Sequence, residues 1–288
     1  AACLLMASLP AAAAARAQHV IVISIDGLRP DVALRANMPH LRAALDTGAF
    51  TFWAMTTAVA VTLPSHVSML TGMPPDKHGV HWNGEPTLAK LPVPRYASVL
   101  EMATRAGKVT AIVAGKSKFA VLNKPGAVTH AFIPGDEVID DRSVGDQAVQ
   151  MIRRYQPDLL FIHFPGVDSA GHDHGWGSAA QLAAAAGIDE QLGRVQDALQ
   201  TQHLRDTTAI LISADHGGAV LSHGAGDARS RYIPWILTGP GVRHGYDLTQ
   251  VPRLQVHTED TAATVCALLA LNCGRIDGVA VSAAFEMP

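Results

Sequence analysis

At 288 residues, 48% hydrophobic and 16% charged, with a formal net charge of -3 at pH 7, the chain is long enough for one large α/β domain with a substantial core. This balance excludes the basic groove of a nucleic-acid polymer binder, and 5% aromatic residues leave few platforms for stacking bases. Fourteen histidines direct attention to metal ligation.

The first stretch, Ala1–Ala15, carries no charge, and Ala15-Arg16-Ala17 before Gln18 has the small residues of a cleavage site. Residues 1–18 therefore read as the remnant of a secretory signal peptide, and 19–288 as a single catalytic domain, exported to the periplasm or secreted. The apolar run is too short for stable membrane insertion. A second reading makes Cys3 a lipid-attachment site. Cys266 and Cys273 flank the end of the last helix and either pair in an oxidising compartment or remain buried thiols.

From residue 19 the elements alternate. His19–Ile25 is a continuous apolar run, read as a central strand, and it stops at Asp26-Gly27. A helix follows over about Pro39–Thr47, then a short strand at Phe50–Met55. Pro64 marks a helix start that places Thr62 at its N-terminus, and Gly72 ends that helix. Met73–Pro94 reads as a loop rich in Pro, Gly and His. Next come a helix (Ala97–Ala106), a strand (Val109–Val113), a helix (Ser143–Tyr155) and a strand (Leu159–Phe164) that runs into Asp168 and His172. A long helix covers about Ser178–Leu199. The strand Ala209–Ile212 stops at Asp215-His216-Gly217-Gly218, Ile233–Leu237 is a further strand, and Asp260–Leu271 is the last helix. Strands alternating with helices predict a doubly wound, mostly parallel central sheet, with ligands bound beyond the carboxyl ends of its strands.

Asp26, Asp168 and Asp215 all fall at such ends, and His172, His216 and His223 lie close by in sequence. Three carboxylates and three imidazoles suit zinc or a similar first-row metal without any thiolate. Six protein ligands are too many for one catalytic ion with an open position, but they suit two. Thr62, at a helix N-terminus, is placed to act as a nucleophile between them, unless it is only an N-cap.

Ser24-Ile25-Asp26-Gly27, Thr62-Leu63-Pro64-Ser65-His66, the later His78-Gly79 and Asn83, Asp168-Ser169-Ala170-Gly171-His172 and Ala214-Asp215-His216-Gly217 occur in that order. Together they resemble the alkaline phosphatase superfamily, nearest to its type I phosphodiesterase/nucleotide pyrophosphatase branch, over most of residues 19–275. The resemblance implies an alkaline-phosphatase-like fold. It also implies that Asp26, Thr62, Asp215 and His216 hold one Zn2+, and that Asp168, His172 and a further histidine hold the other, with another divalent first-row metal as the alternative. Thr62 would form a covalent phospho-enzyme, while Asn83 and the amide after Thr62 would bind a phosphate oxygen. For the last ligand, His223 precedes the strand that leads to Gly239-Pro240-Gly241, as the superfamily pattern asks, whereas His257 lies beyond it. Leu63 stands where nucleotide-handling relatives carry an aromatic residue. Leu63, Asn83 and Lys116 are the residues expected to meet the substrate, with a solvated face as the default for Lys116. His66 reads as a structural helix residue, and His78, His81, His163 and His174 as supporting or substrate-facing groups.

The implied activity is a metal-dependent phosphoric ester hydrolase of the phosphodiesterase/nucleotide pyrophosphatase type, acting on a small-molecule phosphate ester. A phosphomonoesterase or a phosphonoacetate-hydrolase-like enzyme is the alternative on the same site. A non-catalytic binding protein would be expected to have lost ligands, and here all are present. Nothing in the sequence specifies an oligomeric state.

Overall fold

The computed structural model describes residues 15–84, 93–135 and 138–286. The expectations for Cys3 and for residues 1–14, and part of the expected Met73–Pro94 loop, lie outside them. In chain order the elements are β1 (His19–Ile25), α1 (Pro30–Arg35), α2 (Pro39–Asp46), β2 (Gly48–Met55), α3 (Thr62–Thr71), α4 (Pro75–His78), α5 (Val99–Arg105), β3 (Thr110–Ala114), β4 (His130–Phe132), α6 (Asp141–Tyr155), β5 (Leu159–Phe164), α7 (Gly166–His174), α8 (Ala179–Thr201), β6 (Thr208–Ser213), β7 (Tyr232–Thr238), β8 (Tyr246–Asp247) and α9 (Asp260–Leu269).

The strands form one sheet in the order β4-β3-β5-β1-β6-β7-β2-β8. Around its centre β3, β5, β1 and β6 run parallel. β7 runs antiparallel to both β6 and β2. β1, β5 and β6 are buried along nearly their whole length, which explains why their apolar runs do not alternate with polar residues. Removing the side chain of a fully buried residue such as Ile23 would cost about 2–5 kcal/mol.

Two helix layers cover the sheet. α8 packs against α1, α2, α6 and α7, and α3 against α4, α5 and α9. The Ala-rich composition of α8 favours a helix, and its buried Ile188, Leu192, Val195 and Leu199 fall at helical spacing on one face. Side-chain caps start three helices: Ser98 for α5, Asp140 for α6 and Ser178 for α8. Gly72 ends α3 at φ 68°, a conformation that suits glycine.

Cys266 and Cys273 form a disulfide across the end of α9, with Cα atoms 6.2 Å apart, which decides between pairing and free thiols. Arg16 and Ala17 donate backbone hydrogen bonds to Leu268 O, tying the first described residues to α9. No helix among the described residues is long and apolar enough to cross a membrane.

Candidate bimetal site

β5, β1 and β6 lie side by side and deliver the acids to one end of the sheet. Asp26 follows the last residue of β1, and Asp215 follows β6 by two residues. The sequence gives no helix for Asp168–His174, but the structure places these residues in α7. Asp168 and His172 sit one turn apart on one helix face. The first amide of α7, Gly166 N, donates to Asp141 Oδ1 at 3.0 Å. Gly27, at φ 73°, passes so close to Asp168 that a Cβ there would lie 2.9 Å from the aspartate Cα. The same glycine donates its N–H to Asp215 Oδ1 at 3.1 Å.

The six residues fall into two groups, Asp26–Asp215–His216 and Asp168–His172–His223, with candidate ligand atoms within 4.8 Å of one another in each. Each carboxylate has one oxygen satisfied and one not. Asp26 Oδ2 takes Lys116 Nζ at 2.7 Å and His163 Nε2 at 3.0 Å. Asp168 Oδ2 takes Lys116 Nζ at 2.7 Å. The buried oxygens without a hydrogen-bond partner include Asp26 Oδ1, Asp168 Oδ1 and Asp215 Oδ2. These are the oxygens turned to the imidazoles: Asp26 Oδ1 and Asp215 Oδ2 lie 3.4 and 3.2 Å from His216 Nε2, and Asp168 Oδ1 lies 3.4 Å from His172 Nε2.

The imidazoles are oriented in a matching way. Nδ1 of His216, His172 and His223 lies 2.8, 2.9 and 3.0 Å from the carbonyl oxygens of Gly217, Leu221 and Ala60. A carbonyl only accepts, so Nδ1 carries a hydrogen in each ring and Nε2 is the atom turned to the carboxylates, offering its lone pair when the ring is neutral. Burial lowers the pKa of His216 to about 4, which keeps that ring neutral. Unpaired carboxylate oxygens facing imidazole lone pairs are the donor set of a hard-to-borderline divalent cation, so these residues fit a metal pair.

Electrostatics bind the cluster together. Burial acts against the charge of Asp26, yet Lys116 and His163 hold its carboxyl well below the usual range. Asp168 is lowered to about 2, because Lys116 and His172 outweigh burial and the repulsion of Asp26. Burial and the carboxylates of Asp26 and Asp168 push Asp215 up. Lys116 is held above the usual lysine range, since the two acids overcome the cost of burying its ammonium.

Thr62 opens α3, is 1% exposed, and places Oγ1 3.2 Å from His216 Nε2. Leu63 N and the Asn83 side chain, expected as two donors to one phosphate oxygen, are bonded to each other through Asn83 Oδ1 at 2.9 Å. A buried amide must be satisfied, and the asparagine oxygen does this. Lys118 Nζ holds the same residue through Asn83 O at 2.7 Å.

Two substrate expectations need correction. The Leu63 side chain is fully buried in the core, so only its backbone reaches the site. Lys116 is 7% exposed and sits among the acids, not on a solvated face. His66 is more than a structural helix residue. Its Nδ1 lies 2.8 Å from Thr62 O and 3.4 Å from Asp215 Oδ2, and its Nε2 meets Ser24 Oγ at 2.8 Å. The spacing of four from Thr62 is the sequence signal for that role. His163 supports Asp26 as expected, and His78 is buried against Ser68 and Pro64 O. His81 and His174 are exposed. His257 is exposed beside the start of α9 and belongs to neither group. Trp176 is wedged between Gly171 and Gly218, donates Nε1–H to Gly27 O at 3.0 Å, and lies edge-on to His172.

Comparison with known proteins follows the same lines. The profile of the type I phosphodiesterase/nucleotide pyrophosphatase family matches residues 20–234. The mouse ectonucleotide pyrophosphatase/phosphodiesterase family member 7 is 24% identical over 250 residues, which cover 78% of this chain and 56% of that protein. The human GPI ethanolamine phosphate transferase 2 catalytic subunit is 26% identical over 265 residues, covering 88% of this chain and 26% of that one. This chain thus spans about half, or less, of the length of these curated relatives. Among solved structures, murine ectonucleotide pyrophosphatase/phosphodiesterase 5 superposes with a TM-score of 0.79 at 15% identity, covering 93% of this chain and 100% of that one. A 2-O GAG sulfatase superposes with a TM-score of 0.74 at 15% identity, covering 93% and 74%. At such identities these likenesses establish the shared, mostly parallel fold.

Proposed function

The chain belongs to the type I phosphodiesterase/nucleotide pyrophosphatase family, and on that footing we propose that it is a metal-dependent phosphoric ester hydrolase working through a covalent phospho-threonine at Thr62. One observation carries the reading: three buried carboxylates each leave an oxygen unpaired, and these acids are grouped with imidazoles whose Nε2 atoms face them. Asp26, Thr62, Asp215 and His216 would hold one Zn2+, and Asp168, His172 and His223 the other, with a different divalent first-row metal as the alternative. Ions bound there would stabilise the negative charge that develops on the attacking and leaving oxygens.

The chain's own residues do the rest. Thr62 loses its proton to solvent, and its Oγ1 forms a bond to phosphorus as the opposite P–O bond breaks. The leaving alcohol or phosphate departs with that electron pair and takes up a proton. Water then attacks the phospho-threonine, the Thr62 P–O bond breaks, and Thr62 regains its proton. The N-terminus of α3 presents its first amides and positive dipole end to the phosphoryl group. Asn83 would hold a non-bridging oxygen through its Nδ2–H groups, since its bond to Leu63 N occupies only the accepting Oδ1. His66 fixes the backbone of Thr62 from one turn below. Family membership supports a small-molecule phosphate ester as substrate. The uncharged N-terminal stretch and the Cys266–Cys273 disulfide favour an exported enzyme.

A phosphomonoesterase or phosphonoacetate-hydrolase-like activity is the second reading. It keeps the same ligand groups and the same Thr62, and changes only the substrate they act on. A panel of aryl phosphate diesters and monoesters, nucleotides and phosphonates, compared by kcat/KM, separates the two. Diesters or nucleotides are expected to lead, and a phosphonate or monoester preference selects the second reading. Thr62→Ala should lose about 10³-fold or more in kcat while melting close to wild type. Retained turnover removes Thr62 from the chemistry.

A further inference from the structure

We propose that Lys116 is an internal counter-cation shared by the two ligand groups, stabilising the metal-free site and competing electrostatically with divalent ions for it. The inference rests on the bimetal reading above. Lys116 Nζ lies 2.7 Å from Asp26 Oδ2 and 2.7 Å from Asp168 Oδ2, and these acids belong to different groups. The lysine arrives from outside both motifs. It follows β3, on the far side of β5 from β1, directly after Gly115, where a Cβ would lie 2.5 Å from Pro165 Cδ.

Its contacts are selective. Lys116 takes the Oδ2 oxygens and leaves both Oδ1 atoms facing the histidines. It therefore orients the acids without consuming the atoms a metal would use. Its charge acts differently from its geometry. Three carboxylates gathered in a buried site repel one another, and one fixed ammonium offsets part of that repulsion. The same ammonium repels an incoming dication. The part of Lys116's stabilisation that is lost when a dication enters is, by linkage, withdrawn from metal affinity. The two groups do not depend on it equally. Asp26 Oδ2 keeps His163 as a second partner, whereas Asp168 Oδ2 has only Lys116 among the described residues.

The test uses the full chain stripped of metal by a chelator, with Lys116→Met and Lys116→Arg alongside wild type. Zn2+ affinity is measured by competition titration at about pH 8, and Tm with and without Zn2+. K116M is expected to melt below wild type when stripped, to bind Zn2+ about tenfold or more tightly, and to recover most of its Tm deficit when loaded. K116R should stay near wild type in both measurements. If K116M folds only with Zn2+, the stripped state depends on Lys116 as proposed. If K116M folds in neither condition, Lys116→Gln, which is uncharged but can still donate, is held to the same affinity criterion. Equal or weaker Zn2+ binding by the uncharged variant overturns the proposal alone. A wild type that takes up no divalent ion overturns the bimetal reading and this inference with it.

Discussion

His216 and His223 stack nearly parallel, with ring centroids 3.7 Å and planes 15° apart, although each belongs to a different ligand group. The stack is pinned at both ends, by Gly217 O on one ring and Ala60 O on the other. The two groups are therefore one mechanical unit. The β6–β7 connection supplies a carboxylate and an imidazole to the first group and an imidazole to the second.

His223→Ala should consequently lose an ion from the Asp168 group, with metal content falling from two ions per chain toward one. His257→Ala should keep both, since His257 is exposed and its backbone N merely donates to Asp260 Oδ2 at 2.8 Å. Elemental analysis of the two purified variants decides the point. Full metal content in the first variant would remove His223 from the ligand set.

His163→Phe isolates the support given to Asp26. The ring lies 4.3 Å from Phe119 and 5.0 Å from His66, so phenylalanine preserves much of the packing and deletes the bond to Asp26 Oδ2. Metal affinity should weaken by about 10–100-fold, as when an orienting partner is removed behind a ligand. This is opposite in sign to the expected effect of K116M, and the same titration reads both. Unchanged affinity would mean that Asp26 is oriented without His163.

Asp141 predicts a pH dependence. Burial, with a smaller push from Asp140, raises it to about 7 against the opposing Gly166 N–H. A carboxyl raised above its unfolded value contributes stability at low pH, and that contribution is lost as pH rises from about 4 to about 7. Asp141→Asn keeps an acceptor for Gly166 N and cannot ionise. Between pH 5 and 8 the variant should gain on wild type by about 1–2 kcal/mol, allowing for partial exposure of the side chain. Denaturant unfolding at both pH values measures this, and a constant difference would show that Asp141 titrates normally.

The parts legible in the sequence are those with one-dimensional signatures. β1, β5 and β6 are unbroken apolar runs ending in acids, so both the strands and the end of the sheet that carries the site follow from the chain alone. α7 has no such signature. Gly166–His174 is rich in Gly, Ser, Asp and His, which are weak helix formers, and it is held by Asp141 at its first turn and by packing on α8. The direction of β7 is equally silent, because its apolar run looks the same whichever way the strand points. Lys116 was hidden for another reason. A lone lysine after a strand is ordinarily solvated, and its burial here follows from two acids that are distant in sequence, with Gly115 letting the backbone pass close to Pro165. Leu63 faces the core because α3 is buried along its whole length, which a mixed sequence of Thr, Ser and His does not announce.

The reversed direction of β7 has a consequence for how the protein can diversify. A parallel neighbour to β6 would require the chain to travel back along the sheet, usually as a helix packed on one face. An antiparallel neighbour starts where β6 stops, so all of residues 214–231 stay at the working end of the sheet. The fixed points of that connection are Asp215, His216 and His223, together with the carbonyls of Val220 and Leu221, which accept from Trp176 N and hold the His172 ring. Variation is easiest in the side chains of Val220 and Leu221, which stand exposed while their carbonyls stay engaged and the strands on either side keep their register.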